Sequence, residues 1–175
     1  MPLPLEIERK FLIRMPDAAC LAAQEGVRIK HMTQTYLLAP AGVTARVRRI
    51  REDGRVTYVR TEKRRLSDRT AEEEEYEIDE ATYRAALRVS DPARLPIQKT
   101  RYAIPSAGHV MEVDIYTFWD DRATLEVELT DEEEEFLLPP YLSVIAEVTA
   151  DRRYKNAQLA KEIPYDTLPP ENEHA

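Results

Sequence analysis

Apolar and polar residues alternate along most of the chain, and helical periodicity is confined to short stretches. The alternating segments predict strands at Leu5 to Ile13, Thr33 to Leu38, Val43 to Ile50, Val56 to Lys63, Glu73 to Ile78, Leu95 to Ile104, Val110 to Tyr116 and Thr124 to Leu129. Turn chemistry follows the second and third of these: Ala39-Pro40-Ala41-Gly42, then Glu52-Asp53-Gly54, whose Asp-Gly pair is a strong hairpin signal. Pro16-Asp17 opens a short helix through Ala22 to Gly26, and Asp79 caps another through Ala81 to Leu87. Thr130 with Glu133 reads as a capping box for a short helix that Pro139-Pro140 stops, and a last helix is expected over Asp151 to Lys161. The expected fold class is mainly β (α+β), an antiparallel β-barrel with flanking helices, because closing the sheet removes its exposed edges. Residues 1–163 make the one domain, and 164–175 a proline-bearing polar tail.

Composition narrows the function classes. At 175 residues, with 43% apolar and 33% charged side chains, the chain is globular and long enough to bury a core. A net charge of -8 argues against a nucleic-acid partner, which requires a basic surface to displace counterions. Cys20 stands alone, which excludes a disulfide framework and a thiolate metal site. His31, His109 and His174 have no ligand spacing. No apolar run approaches membrane-spanning length and no signal-peptide pattern opens the chain, so no membrane partner and a cytoplasmic location are expected.

The chemistry lies in how charges sit on the strands. Residues at i and i+2 of a strand share a face, and most of the predicted strands repeat one sign of charge there. Glu6, Glu8 and Lys10 lie on the first, and Arg46 and Arg48 on the third. Glu75 with Glu77, Lys99 with Arg101, Glu112 with Asp114, and Glu126 with Glu128 follow in order. A solvated face would mix signs, since like neighbours repel. Sorted signs instead suggest ligands of opposite charge. Clustered carboxylates are hard oxygen donors suited to Mg²⁺ or Mn²⁺, and paired Arg and Lys suit phosphate oxygens. A barrel lined by both would bind a metal–polyphosphate complex.

In that setting Glu6-Ile7-Glu8-Arg9-Lys10 resembles the E-x-E-x-K motif of the CYTH family, the triphosphate tunnel metalloenzymes. The Arg46, Glu75, Lys99 and Glu126 pairs fall in the family's order, and Glu147 to Asn156 resembles the C-terminal signature of its small bacterial members. The resemblance runs from about Leu5 to Leu159 and implies an eight-stranded tunnel that holds a triphosphate with one or two divalent cations.

From it, Glu6, Glu8, Glu126 and Glu128 are expected first as metal ligands, and Asp114 and Glu112 second. Glu75 and Glu77 are expected as ligands or as partners of the lumen's cations. Arg46, Arg48, Lys63, Lys99 and Arg101 should grip phosphates, with Arg153 and Lys155 at one mouth. The acidic runs Glu72 to Glu74 and Glu132 to Glu135 are expected at the surface, and the basic connector Arg64 to Thr70 is left without a role. No Ser-His or Cys-His arrangement suggests a covalent route, so water is the expected nucleophile. Lys10 is the candidate general base, its proton loosened by neighbouring cations, with Tyr36 hydrogen-bonded to it. Inorganic tripolyphosphate, cleaved to pyrophosphate and phosphate, is the leading substrate. The alternatives are thiamine or nucleoside triphosphates, a class IV-type adenylyl cyclase reaction, and non-catalytic polyphosphate binding. A homodimer is left open.

Overall fold

The computed structural model describes residues 2–171 and forms a closed antiparallel barrel with a ninth strand added at one seam. The strands are β1 (Leu5–Arg14), β2 (Arg28–Leu37), β3 (Val43–Glu52), β4 (Arg55–Arg65), β5 (Thr70–Ile78), β6 (Ile97–Ser106), β7 (His109–Tyr116), β8 (Arg122–Leu129) and β9 (Val144–Glu147). Their order is β5-β4-β3-β2-β6-β7-β8-β1-β9, and a β5–β1 pairing closes the first eight into a cylinder. One edge of β1 is shared. Leu5 to Ile7 pair with Glu72 to Thr70 of β5, whereas Phe11 to Ile13 pair with Glu147 to Val144 of β9. Every predicted strand is present, most of them longer than the alternation suggests. β9 has no predicted counterpart, because four residues are too few to display a period.

Two hairpins turn in two residues. Asp53 and Gly54 both take positive φ (49° and 77°), the geometry that matches the twist of the flanking strands. Ala107 and Gly108 do the same at 48° and 82°, which places an alanine in the left-handed region at a cost of about 1 kcal/mol.

The helices are shorter than expected. α1 (Ala18–Ala22) starts at the predicted Asp17 cap but ends before Gly26, and α2 (Glu80–Ala86) keeps its Asp79 cap, bonded to the Thr82 amide at 2.7 Å. The expected helix after Thr130 does not form. Glu134 rather than Glu133 accepts from both the amide and the hydroxyl of Thr130, which closes a turn instead of a first helical turn. The last expected helix is a 3₁₀ turn (Arg152–Tyr154) followed by α3 (Asn156–Leu159).

Outward side chains of β1, β6, β7 and β8 pack under α1 and the 136–142 loop, around Phe11, Ile13, Leu21, Met111, Val113 and Leu125. α2 covers the outer face of β3 and β4 with Tyr83 and Ala86, Tyr83 packing on Tyr58 of β4. A third cluster lies inside the barrel's own end. Leu12, Tyr36, Ile97 and Tyr116 meet Val148, Tyr154 and Leu159 of the C-terminal segment there. The early tail folds back on this cluster: the Trp119 indole donates to the Pro164 carbonyl at 3.0 Å, and Arg153 pairs with Asp166. His174 and the tail beyond residue 171 lie outside the described residues.

Candidate functional site

The alternation places a charged row of each strand inside the barrel. A cavity of about 150 Å³, room for about five waters, is lined by Glu6, Glu8 and Lys10 of β1, Arg46 of β3, Lys63 and Arg65 of β4, Arg101 of β6, Glu112 of β7 and Glu126 of β8. Tyr36, Gly42, Thr44 and Thr61 join them, and Lys155, Asn156 and Ala157 enter from the C-terminal segment. Strands that are distant in sequence thus bring the predicted carboxylates and cations to one place.

Most of these charges are paired, and the pairs are local. Asp114 is fully buried. It accepts from the Arg101 guanidinium through both oxygens (2.7 and 2.8 Å) and from the Lys99 ammonium at 2.7 Å. Arg101 also meets Glu112 at 2.6 Å and lies 3.7 Å from Glu126. Burial disfavours the Asp114 carboxylate, but Arg101 and Lys99 outweigh it and hold the group at about 2. Burial pulls Lys99 down to about 8 despite Asp114. In this arrangement both Asp114 oxygens are engaged by Arg101 and Lys99, and neither Asp114 nor Lys99 is among the residues that line the cavity. The β6–β7 register, Arg101 opposite Asp114, is the reason.

Elsewhere the charges are less settled. Lys10 meets Glu126 at 2.9 Å, opposite it in the β1–β8 register, so its nearest charged partner is a carboxylate and not the cations expected around it. Burial opposes the Glu126 carboxylate, yet Lys10, Arg101 and Lys99 hold it well below its ordinary range. Lys63 bridges Glu6 and Glu73, the latter at 3.2 Å. Glu73 therefore faces inward from the run expected at the surface, because β5 begins earlier than predicted and its odd positions point into the barrel. Arg48 is buried against Glu75 and Thr61, behind the cavity lining, and burial with Arg46 nearby lowers it to about 10. The Tyr36 hydroxyl accepts from the Gln34 side-chain amide at 2.8 Å and, among the described residues, makes no hydrogen bond to Lys10, the partner expected for it.

Glu8 and Arg46 stand apart. Glu8 is 8% exposed and has no ion pair or hydrogen bond from its carboxylate among the described residues. Burial, then Glu126, raises its proton affinity, and burial raises that of Glu6 as well. Among the described residues Arg46 has no carboxylate partner, only a 3.4 Å contact to Gln34, and its Nε is buried without an acceptor. One cavity thus holds a carboxylate and a guanidinium that each lack a direct ion pair among the described residues.

The remaining predicted residues lie at the edges. Glu128 is opposite Glu8 in the register but exposed, and burial, followed by Glu6 and Glu112, raises it. Glu77 is exposed. Arg153 is bound to Asp151 and Asp166 on the surface and does not border the cavity, whereas Lys155 does. Arg65, from the basic connector, lines the cavity without having been singled out; its i+2 spacing from Lys63 was the available signal. Glu132 and Glu134 of the second acidic run anchor the 130–135 loop to Ser67, Thr70 and His109.

Among the described residues, no three His, Cys, Asp or Glu side chains converge on a common point in ligating geometry. The donor set nevertheless suits a hard dication. Glu6, Glu8 and Glu126 are carboxylates on adjacent strands, and two of them are driven toward protonation by burial and by their neighbours, the environment a divalent cation relieves. In this structure Lys63 and Lys10 occupy Glu6 and Glu126 in that role.

No family model matches the chain. It is similar to a protein of Nitrosomonas europaea named inorganic triphosphatase, 32% identical over 91% of this chain and 99% of the relative. The crystal structure of an inorganic triphosphatase superposes with a TM-score of 0.56, at 29% identity over 94% of this chain and 99% of the other. A protein from Pyrococcus horikoshii OT3 shares the fold, with a TM-score of 0.56 at 19% identity over 73% of this chain and 80% of the other.

Proposed function

The chain belongs to the CYTH family, the triphosphate tunnel metalloenzymes, and from that premise we propose that its barrel hydrolyses inorganic tripolyphosphate to pyrophosphate and phosphate. The observation that carries the reading is the coexistence in one cavity of buried Glu8 and half-buried Arg46, neither with an ion-pair partner among the described residues. Each lacks a counter-charge that a metal–triphosphate complex would supply, the cation beside Glu8 and the phosphate oxygens beside Arg46.

Glu6, Glu8 and Glu126 would hold Mg²⁺ or Mn²⁺, with Glu128 at the edge of the set. When bound, such an ion neutralises phosphate oxygens and favours attack at phosphorus. The chain's own groups do the positioning. Arg46 and Lys63 face the cavity from adjacent strands and grip the chain from one side. Arg101, clamped by Asp114 and Glu112, presents a fixed guanidinium from the other. Lys10 is the group we assign to take the proton of the attacking water. Its contact with Glu126 makes that role depend on Glu126 leaving the pair for a cation.

The lining favours an inorganic chain over a nucleoside or thiamine derivative. Tyr36 is its one aromatic residue, while Trp119 is buried in packing with Tyr116 and Phe118, so no ring is offered to a base. The physiological partner is then a small polyphosphate and not a nucleic acid. No helix among the described residues is long and apolar enough to cross a membrane, and a cytoplasmic location is part of the proposal. A homodimer is readable by light scattering.

The test is release of phosphate and pyrophosphate from tripolyphosphate, ATP and thiamine triphosphate, with Mg²⁺, Mn²⁺ or chelator. Metal-dependent phosphate release strongest on tripolyphosphate is expected. Pyrophosphate from ATP alone would replace the reading with a cyclase, and tight binding without product with a binding module.

A further inference from the structure

Arg94 lies on the loop that leads into β6, outside the cavity lining. That loop is laced to the end of β2. Ser90 bridges Leu37, and the Asp91 amide donates to the Tyr36 carbonyl at 2.9 Å. The Asp91 carboxylate accepts from the Ala93 amide at 2.9 Å and lies 3.4 Å from the Arg94 guanidinium. On its other side the loop is tied to the C-terminal segment, where the Leu95 amide donates to the Ala160 carbonyl at 2.8 Å. Arg94 is therefore presented in a fixed place, with its guanidinium 5.3 Å from the centre of the Tyr36 ring. Its Nε is buried without an acceptor among the described residues. A largely buried cation with an unused donor is costly, and the negative face of an aromatic ring offsets part of that cost.

Tyr36 carries the contact inward. Its hydroxyl accepts from Gln34 Nε2 at 2.8 Å, which leaves Gln34 Oε1 to accept from the Arg46 guanidinium at 3.4 Å. Gln34 and Tyr36 share one face of β2, and Arg46 stands opposite Tyr36 in the β2–β3 register. Gln34 is fully buried, so these two neighbours set the direction of its amide; turned over, it would set donors against the guanidinium. Arg46 has no carboxylate partner among the described residues, and its one side-chain acceptor belongs to a neutral relay that ends on Arg94. A neutral relay suits a gripping residue, since it orients the guanidinium and leaves its charge for phosphate oxygens.

We propose that Arg94 is a positioning residue for the phosphate grip. From outside the cavity it seats the Tyr36 ring, and through the Tyr36 hydroxyl and the Gln34 amide it fixes where the Arg46 guanidinium points. The inference rests on the triphosphatase reading for its ligand, and it adds a residue that touches neither that ligand nor the cavity.

The experiment places Arg94→Met and Arg94→Lys in the full chain, each alone and together with Tyr36→Phe, with the thermal transition of each recorded and tripolyphosphate hydrolysis measured in Mg²⁺. Arg94→Met keeps the apolar stem and removes the cation; it should raise KM at least about fivefold with kcat within about twofold of wild type. Arg94→Lys should recover part of the loss, because it returns a cation to the ring face. Tyr36→Phe keeps the ring and cuts the relay at the hydroxyl, so in that background Arg94→Met should change KM by less than about twofold. An undiminished effect there would mean that Arg94 acts through packing of the loop. An unchanged KM, or a loss in kcat alone, would mean that Arg94 does not act on the grip, and each of these results overturns the inference. If the wild type binds tripolyphosphate without cleaving it, the hydrolase reading falls alone, and calorimetric dissociation constants of the same variants decide the relay by the same ratios. No binding to the wild type overturns both.

Discussion

The two walls of the barrel interior are charged to a similar degree and behave oppositely. On the β6–β7 hairpin, Lys99, Arg101, Glu112 and Asp114 are locked to one another, with every Asp114 oxygen engaged. Across the lumen, Glu8 of β1 and Arg46 of β3 have no ion-pair partner among the described residues. The difference is one of register. Directly opposed, complementary residues on neighbouring strands satisfy one another during folding, whereas Glu8 lies opposite Glu128 and Arg46 opposite Tyr36 and Thr61. The first wall is scaffold; the second carries the electrostatic strain that ligands relieve, a pattern expected where function overrides stability.

Removing Asp114 tests the scaffold wall most severely. Asp114→Ala leaves Lys99 buried without its carboxylate, beside an Arg101 held only by Glu112 and Glu126, and a loss of about 3–5 kcal/mol is expected in chemical denaturation. A loss under 1 kcal/mol would mean that the pair is more hydrated than its burial indicates.

Glu8→Gln probes the opposite wall and should have the opposite sign. Activity is expected to fall by at least about 100-fold, while the metal-free protein melts at a higher temperature than wild type, since a buried, partnerless carboxylate is gone. The rise in melting temperature that Mg²⁺ or Mn²⁺ gives the wild type should shrink or vanish. A lower melting temperature without metal would show that Glu8 is part of the scaffold after all.

Acid separates the walls within one molecule. Asp114 is depressed to about 2, so its contribution is present above its unfolded value near 4 and disappears as pH falls from about 4 through about 2, a loss of about 2 kcal/mol. Glu6 and Glu8 are raised by burial, so their ionisation costs stability, and that cost lifts as pH falls through their raised values. Metal-free stability should therefore peak in mildly acidic buffer and drop below about pH 4, and saturating metal should flatten the neutral side. A peak at neutral pH without metal would contradict the assignment of strain to the β1 carboxylates.

The smallest effect is expected outside both walls. Arg153→Ala should leave KM and melting temperature unchanged, because Arg153 is exposed and bound to Asp151 and Asp166. A raised KM would place it at the cavity after all.

The sequence by itself determined which face of each strand is charged and of what sign. A two-residue period needs only covalent geometry, so Glu6, Glu8, Lys10, Arg46, Lys63, Arg101, Glu112 and Glu126 could be assigned to one interior before any contact was known. Asp17 and Asp79 were legible as caps for the same local reason. What required the tertiary structure was pairing. Whether Lys99 grips a phosphate or Asp114, whether Glu73 faces water or Lys63, and whether Arg65 belongs to a connector or to the cavity lining depend on the register between strands and on closure of the barrel. β9 and the C-terminal plug are of the same kind, since four residues of strand and one turn of helix exist only because β1 and the barrel's end hold them. Periodicity is a property of one strand, whereas neutralisation of a charge is a property of two, and only the closed barrel decides which charges are left over for a ligand.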